Sequence, residues 1–168
     1  MKIHLQNQQI QHSLNLATIQ ALSLWLGSQI ESPQSAWGDI TLRLTDDIGI
    51  TQFNREYFAK NCPTDVISFR HEPIPGESNH LTGDLIINVQ RAHEEGLQRG
   101  DRNFELAFYI AHGFDHLNGA TDDTPQKRTS MHRREKKWIT RARDQGLNDQ
   151  LFTWTKPISL IHQRTKLL

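Results

Sequence analysis

One cysteine, Cys62, is all that the chain contains. A lone thiol excludes an intrachain disulfide framework. No apolar run approaches the ~20 residues that a membrane-spanning helix needs. The opening MKIHLQNQQ lacks the apolar stretch of a signal peptide. A cytoplasmic protein with no membrane partner is therefore expected. Hydrophobic residues make up only 36% of the chain, so its surface should be very polar. Internal repeats and low-complexity segments are absent. Net charge is absent too, with 19 Lys and Arg against 19 Asp and Glu. Total charge therefore points to no partner.

The distribution of charge does. From residue 122 onward there are eleven Lys and Arg against five acids. The basic run lies mostly in 127–143, where Glu135 is the one acid. Such a segment is either a solvated helix face or a surface that tracks a phosphate backbone. Arg133, Arg134, Lys136 and Lys137 are its RNA-binding candidates.

A chain of 168 residues is long enough for one domain with a real core. Residues 2–5 alternate like an edge strand. Residues 14–30 carry apolar side chains at helical spacing. Residues 38–45, GDITLRLT, alternate as a half-buried strand. Asp46 or Asp47 can cap a short helix that runs to Phe58. A turn and a short strand follow in 61–70, then a Pro- and Gly-bearing loop over 71–81. Residues 83–89, GDLIINV, are apolar enough for a central strand. Helices are expected over 89–99, from Arg102, and from Thr124 to Gln145, the last with threonine as cap and Pro125 in its first turn. The order β-α-β-α-β-β-α-α-α predicts an α/β (α+β sandwich) fold. That is a single domain over 1–146, with a small mixed sheet packed by helices. Residues 147–168 form an extension with no assigned structure; Phe152, Trp154, Ile158 and Leu160 alternate with polar residues there.

The chemistry concentrates in 108–123, FYIAHGFDHLNGATDD. His112 and His116 are four apart, which stacks them on one helix face. Gly119 lets the chain leave the helix, and Asp122 or Asp123 can fold back as a third ligand. Three protein ligands leave one position open, as catalytic zinc sites do. A histidine pair at this spacing also occurs as plain core. The apolar segment before it and the carboxylates after it bring the metal reading level with the core reading. The glutamate of the zinc-protease pattern H-E-x-x-H is missing, because Gly113 follows His112. Asp115 is either a partner of a ligand or a solvated helix residue. Asp65 and Ser68 read as turn formers.

This stretch resembles the YbeY-type bacterial rRNA maturation factors in its pattern His112, Gly113, His116, Leu117, Gly119, with Asp122 at the third-ligand position. Thr64-Asp65-Val66-Ile67-Ser68-Phe69, Gly83-Asp84-Leu85, Glu105 and Phe53-Asn54-Arg55-Glu56-Tyr57 resemble further motifs of that family, in the same order. The resemblance covers roughly residues 40–135. It implies a metal-dependent, single-strand-specific endoribonuclease with one divalent ion, zinc, and no other cofactor. It implies ribosomal RNA as substrate, action in 16S 3′-end maturation and ribosome quality control, and contact with the small ribosomal subunit. Glu105, two turns before His112, would then either orient an imidazole or pair locally. One departure matters. The family's arginine after the tyrosine is Phe58 here, and a phenyl ring donates nothing to a phosphate. Arg55 and Lys60 are the candidates to replace it. The alternative is a ribosome-assembly factor whose metal is structural.

Overall fold

The structure, a computed structural model, describes residues 1–33, 36–73, 76 and 79–153. Its elements are β1 (Lys2–Asn7), α1 (Leu16–Ile30), β2 (Trp37–Thr45), α2 (Asp47–Phe58), β3 (Val66–His71), β4 (Leu81–Asn88), α3 (Val89–Arg99), α4 (Arg102–Leu117) and α5 (Pro125–Arg143). The strands form one mixed sheet in the order β1-β2-β4-β3. β1, β2 and β4 run parallel, and β3 is antiparallel to β4. The expected α/β class and element order hold.

Local chemistry sets where each helix begins. The side chains of Asn15, Asp46, Asn88, Asp101 and Thr124 accept a backbone N–H of the first turn of α1, α2, α3, α4 and α5 in that order. This satisfies donors that would otherwise be left without a partner.

Strand alternation divides the core. Ile40, Leu42, Leu44, Leu85 and Ile87 face α1 and α4 in the main cluster. Ile86 and Ile67 face the other way and pack with Ile50 of α2, flanked by Phe53 and Phe69. Helix α4 is buried along most of its length. It lies close to the sheet because Gly113 and Gly83 leave room. A Cβ on Gly113 would meet Leu85 at 3.0 Å and Val66 at 3.1 Å, and one on Gly83 would meet Leu117 at 3.0 Å.

Packing continues past Gly146, beyond the boundary expected from sequence. Leu151 and Phe152 are buried. The Asn15 N–H donates to the Leu151 carbonyl at 2.9 Å, and the Phe152 N–H donates to Asn103 Oδ1 at 3.0 Å. The first residues of the expected extension therefore close the α1 corner of the domain. Trp154, Ile158 and Leu160 lie outside the described residues.

That corner carries a pH dependence. His12 stacks on His93 with ring centroids 4.1 Å apart, and Phe152 meets both edge-on. Burial, His93 and Arg102 pull the His12 imidazole below its ordinary value, with Glu94 opposing. Burial and Arg102 do the same to His93, again against Glu94. The unfolded chain therefore binds protons here more readily than the folded one. This contribution to stability is complete above the ordinary imidazole value of about 6.5 and is lost as pH falls below it. Thermal midpoints measured across that range should fall on acidification, and should fall less in His12→Phe.

Candidate metal centre

Helix α4 presents His112 and His116 one turn apart. The residues after it form a tight turn. The Asn118 N–H donates to the Phe114 carbonyl, Gly119 takes φ +88°, and its N–H donates to the His116 carbonyl. The chain then returns past Ala120 toward the cap of α5. This return brings Asp122 back to the histidines. One ligand atom each from His112, His116 and Asp122 lies within 4.8 Å of the others.

The protonation of the two rings follows from their partners. His116 Nδ1 is 2.9 Å from the Ala120 carbonyl oxygen, which can only accept, so Nδ1 carries the hydrogen. His112 Nδ1 donates to Glu135 Oε1 at 2.7 Å. In the neutral rings, both Nε2 atoms therefore carry lone pairs. These two atoms face each other at 3.0 Å. Two lone pairs at that distance repel unless a metal ion or a proton stands between them. Two imidazoles and a carboxylate are a donor set that suits zinc, so the residues present fit the metal that the resemblance implies.

Glu135 is the partner that sequence reading missed. It is fully buried on α5. Its Oε2 has no hydrogen-bond partner among the described residues. Burial lowers the His112 imidazole's affinity for protons, but Glu135, aided by Asp65 and Asp122, outweighs this and holds it above its ordinary value. A signal was available. Met131, Glu135, Trp138, Ile139 and Ala142 form the buried stripe of α5, and an acid within an apolar stripe needs a partner. His132 completes a second close group with His112 and Glu135. Glu135→Gln should weaken binding of a divalent metal at this group about 10–100-fold, as loss of an imidazole's carboxylate partner typically does. Competition with a chromogenic chelator measures this.

Other expected residues sit elsewhere. Asp123 is paired with Lys127 at 2.9 Å, and Asp122, not Asp123, joins the group of ligand atoms. The Glu105 carboxylate goes to Arg99 of α3, the local-pairing alternative; Glu135, not Glu105, accepts from His112. Asp115 is not solvated: it is fully buried, and Arg134 holds it with Nε at 3.0 Å and Nη2 at 2.6 Å. Arg134 therefore takes part in the helix–helix contact. Arg133, Lys136 and Lys137 are exposed on α5. Asp65 behaves as a turn former, its Oδ1 accepting from the Thr64 hydroxyl and the Val66 N–H.

A cleft of ≈ 490 Å³ opens over the centre, lined in part by Phe58, Lys60, Ser68, Arg70, His116 and Asp122. Arg55 is not among its lining residues; its guanidinium is engaged by Asn61 Oδ1 at 2.6 and 3.2 Å. Phe58 is 48% exposed and stacks parallel to Phe69. Tyr57, 55% exposed, leans on the same ring. An aromatic shelf with open faces thus stands beside the cleft.

Comparison with known proteins identifies the family. The family model described as Endoribonuclease YbeY matches residues 2–143. An Endoribonuclease YbeY of Brevibacillus brevis is 32% identical over 137 residues, covering 73% of this chain and 84% of that protein. One of Syntrophotalea carbinolica is 30% identical over 151 residues, covering 86% of this chain and 98% of that protein. The solution structure of TM1509 from Thermotoga maritima shares the fold, with a TM-score of 0.54 at 16% identity over 88% of this chain and 95% of that one. Matched over most of its length, this chain belongs to the endoribonuclease YbeY family.

Proposed function

We propose that the chain is a zinc-dependent endoribonuclease that cuts single-stranded RNA, with its zinc held by His112, His116 and Asp122, and that it matures the 3′ end of 16S ribosomal RNA. The observation that carries this reading is the pair of Nε2 atoms facing each other at 3.0 Å beside Asp122, at the foot of an open cleft. When bound there, a divalent metal supplies Lewis acidity for attack on a phosphodiester. The chain's own residues do the rest. Glu135 and the Ala120 carbonyl fix the two imidazoles in ligating orientation. Asp122 offsets part of the positive charge. Lys60 and Arg70 supply cations to the cleft. Tyr57 and Phe58 offer faces on which unpaired bases can stack, which a duplex cannot use. Arg133, Lys136 and Lys137 extend a basic surface for ribosomal RNA, on the small ribosomal subunit during quality control. No described helix is long and apolar enough to cross a membrane, which agrees with a cytoplasmic site of action.

A second reading has one observation in its favour. Phe58 gives the cleft a ring where the family's pattern has a donor, which suits an assembly factor with a structural metal and little catalysis. The two separate in cells and with the purified protein taken together. Depleting the chain should lead to accumulation of 16S precursors extended at the 3′ end, and wild type should clear them. If the purified zinc-loaded chain leaves such a precursor uncut as single-stranded RNA while its depletion still makes precursors accumulate, the assembly reading stands and the nuclease reading falls.

A further inference from the structure

Arg70 takes no part in holding the histidines, yet the fold carries it into the cleft. Strand β3 divides its side chains by alternation. Ile67 and Phe69 pack toward α2. Val66, Ser68 and Arg70 share the opposite face, which meets α4. Val66 lies against Gly113, and Ser68 Oγ donates to the Gly113 carbonyl at 3.3 Å. One step further, Arg70 stands opposite Gly83 of β4. The missing side chain there leaves room for Leu117. The Arg70 guanidinium accordingly ends beside the last turn of α4, with Nη1 donating to the Leu117 carbonyl at 3.5 Å. Leu117 follows His116 directly, and both line the cleft together with Arg70 and Asp122.

We propose that Arg70 is the residue that grips the phosphate of a bound RNA strand in this chain. The proposal rests on the RNA reading above and deepens it. A guanidinium meets two phosphate oxygens at once through its planar fork, whereas Lys60, the other cation lining the cleft, is a compact point charge. Arg55 is engaged by Asn61 outside the cleft, and Phe58 brings no donor. The ion partner of Arg70 is Glu72, whose side chain is 70% exposed. An exposed pair of this kind is weak, so a phosphate can displace the carboxylate. The hydrogen bond to Leu117 meanwhile keeps the guanidinium at the end of the metal-bearing helix.

The test compares the full chain with Arg70→Ala and Arg70→Gln; the glutamine keeps a donor for Leu117 and loses the charge. Binding of a single-stranded RNA oligonucleotide is measured without metal across a salt series, and cleavage is measured with zinc. Both variants should bind more weakly, and the slope of log affinity against log salt should shrink by about 0.7 to 1, the loss of one phosphate contact. Cleavage should fall about 10²–10³-fold, as for removal of one preorganised donor. Zinc content and thermal midpoint should stay those of wild type. Variants that keep the wild-type salt slope overturn the proposal, whatever their cleavage rate. If wild type binds RNA but cleaves none, the nuclease reading fails, and the binding slope still decides for or against Arg70. If wild type does not bind RNA, both fail.

Discussion

His116→Ala should leave the protein without stoichiometric zinc and without metal-dependent cleavage of RNA. The reason is the small number of donors. His116 and His112 offer Nε2 atoms 3.0 Å apart, and Asp122 adds one carboxylate. Losing one of three proposed ligands should exceed the ~10–100-fold cost of losing the supporting Glu135 carboxylate. The fold should survive, because His116 is only partly buried and its Nδ1 serves only the turn at Ala120. Asp122→Ala should share the defect. Asp123→Ala should not, because Asp123 is 63% exposed and pairs with Lys127. Metal analysis of the purified variants by mass spectrometry reads all three. Zinc retained in Asp122→Ala and lost in Asp123→Ala would reverse the ligand assignment.

Arg134→Ala should destabilise the fold, although its position in a basic helix suggests an RNA contact. Asp115 is 0% exposed, and its carboxylate accepts three hydrogen bonds from the Arg134 guanidinium. Removing the arginine strands a buried charge. Breaking a buried pair from one side typically costs ~3–5 kcal/mol. The Arg134 side chain is 42% exposed, so water offsets part of the loss and about 3 kcal/mol is expected. For a chain of this size that lowers the thermal midpoint by about 6–12 °C. The defect has a pH signature. Burial already pushes the Asp115 carboxyl above its ordinary value, against the pull of Arg134. Without Arg134 it is pushed further up, so the variant binds a proton on acidification that the unfolded chain does not yet hold. Its stability deficit should therefore shrink as pH falls from about 8 to about 5. The triple substitution of Arg133, Lys136 and Lys137 by alanine should behave in the opposite manner. Stability should hold, while RNA binding weakens and its salt dependence flattens.

These contrasts follow what a sequence can and cannot reveal. Local signals carried the fold. The alternation in 38–45 became β2, the apolar run in 83–89 became β4, and Thr124-Pro125 opened α5. The four-residue spacing of His112 and His116 is likewise local, and so is the turn at Gly119 that returns Asp122. What sequence did not reveal depends on contacts between elements. Glu135 reaches His112 across 23 residues, and Arg134 reaches Asp115 across 19. Both needed the packing of α5 on α4, which no periodicity specifies. Arg55 shows the reverse case. Its helical spacing from Phe58 suggested that the two could share ground. The left-handed Ala59 then turns the chain back, and Asn61 engages the guanidinium outside the cleft. Arg70 lay on a legible strand, but nothing in the sequence told where α4 would end against it. The packing of Leu151 and Phe152 was out of reach for a related reason, since both find their partners near the start of the chain and of α4.

The most direct test of the central claim is cleavage of one RNA sequence, offered single-stranded and as a duplex, by the full chain as purified, after chelation, and after zinc is restored. Cuts are expected within the single strand only, lost on chelation and regained with zinc. Cleavage that persists in the chelated, metal-free protein, or a zinc-loaded protein that leaves the single strand intact, would contradict it.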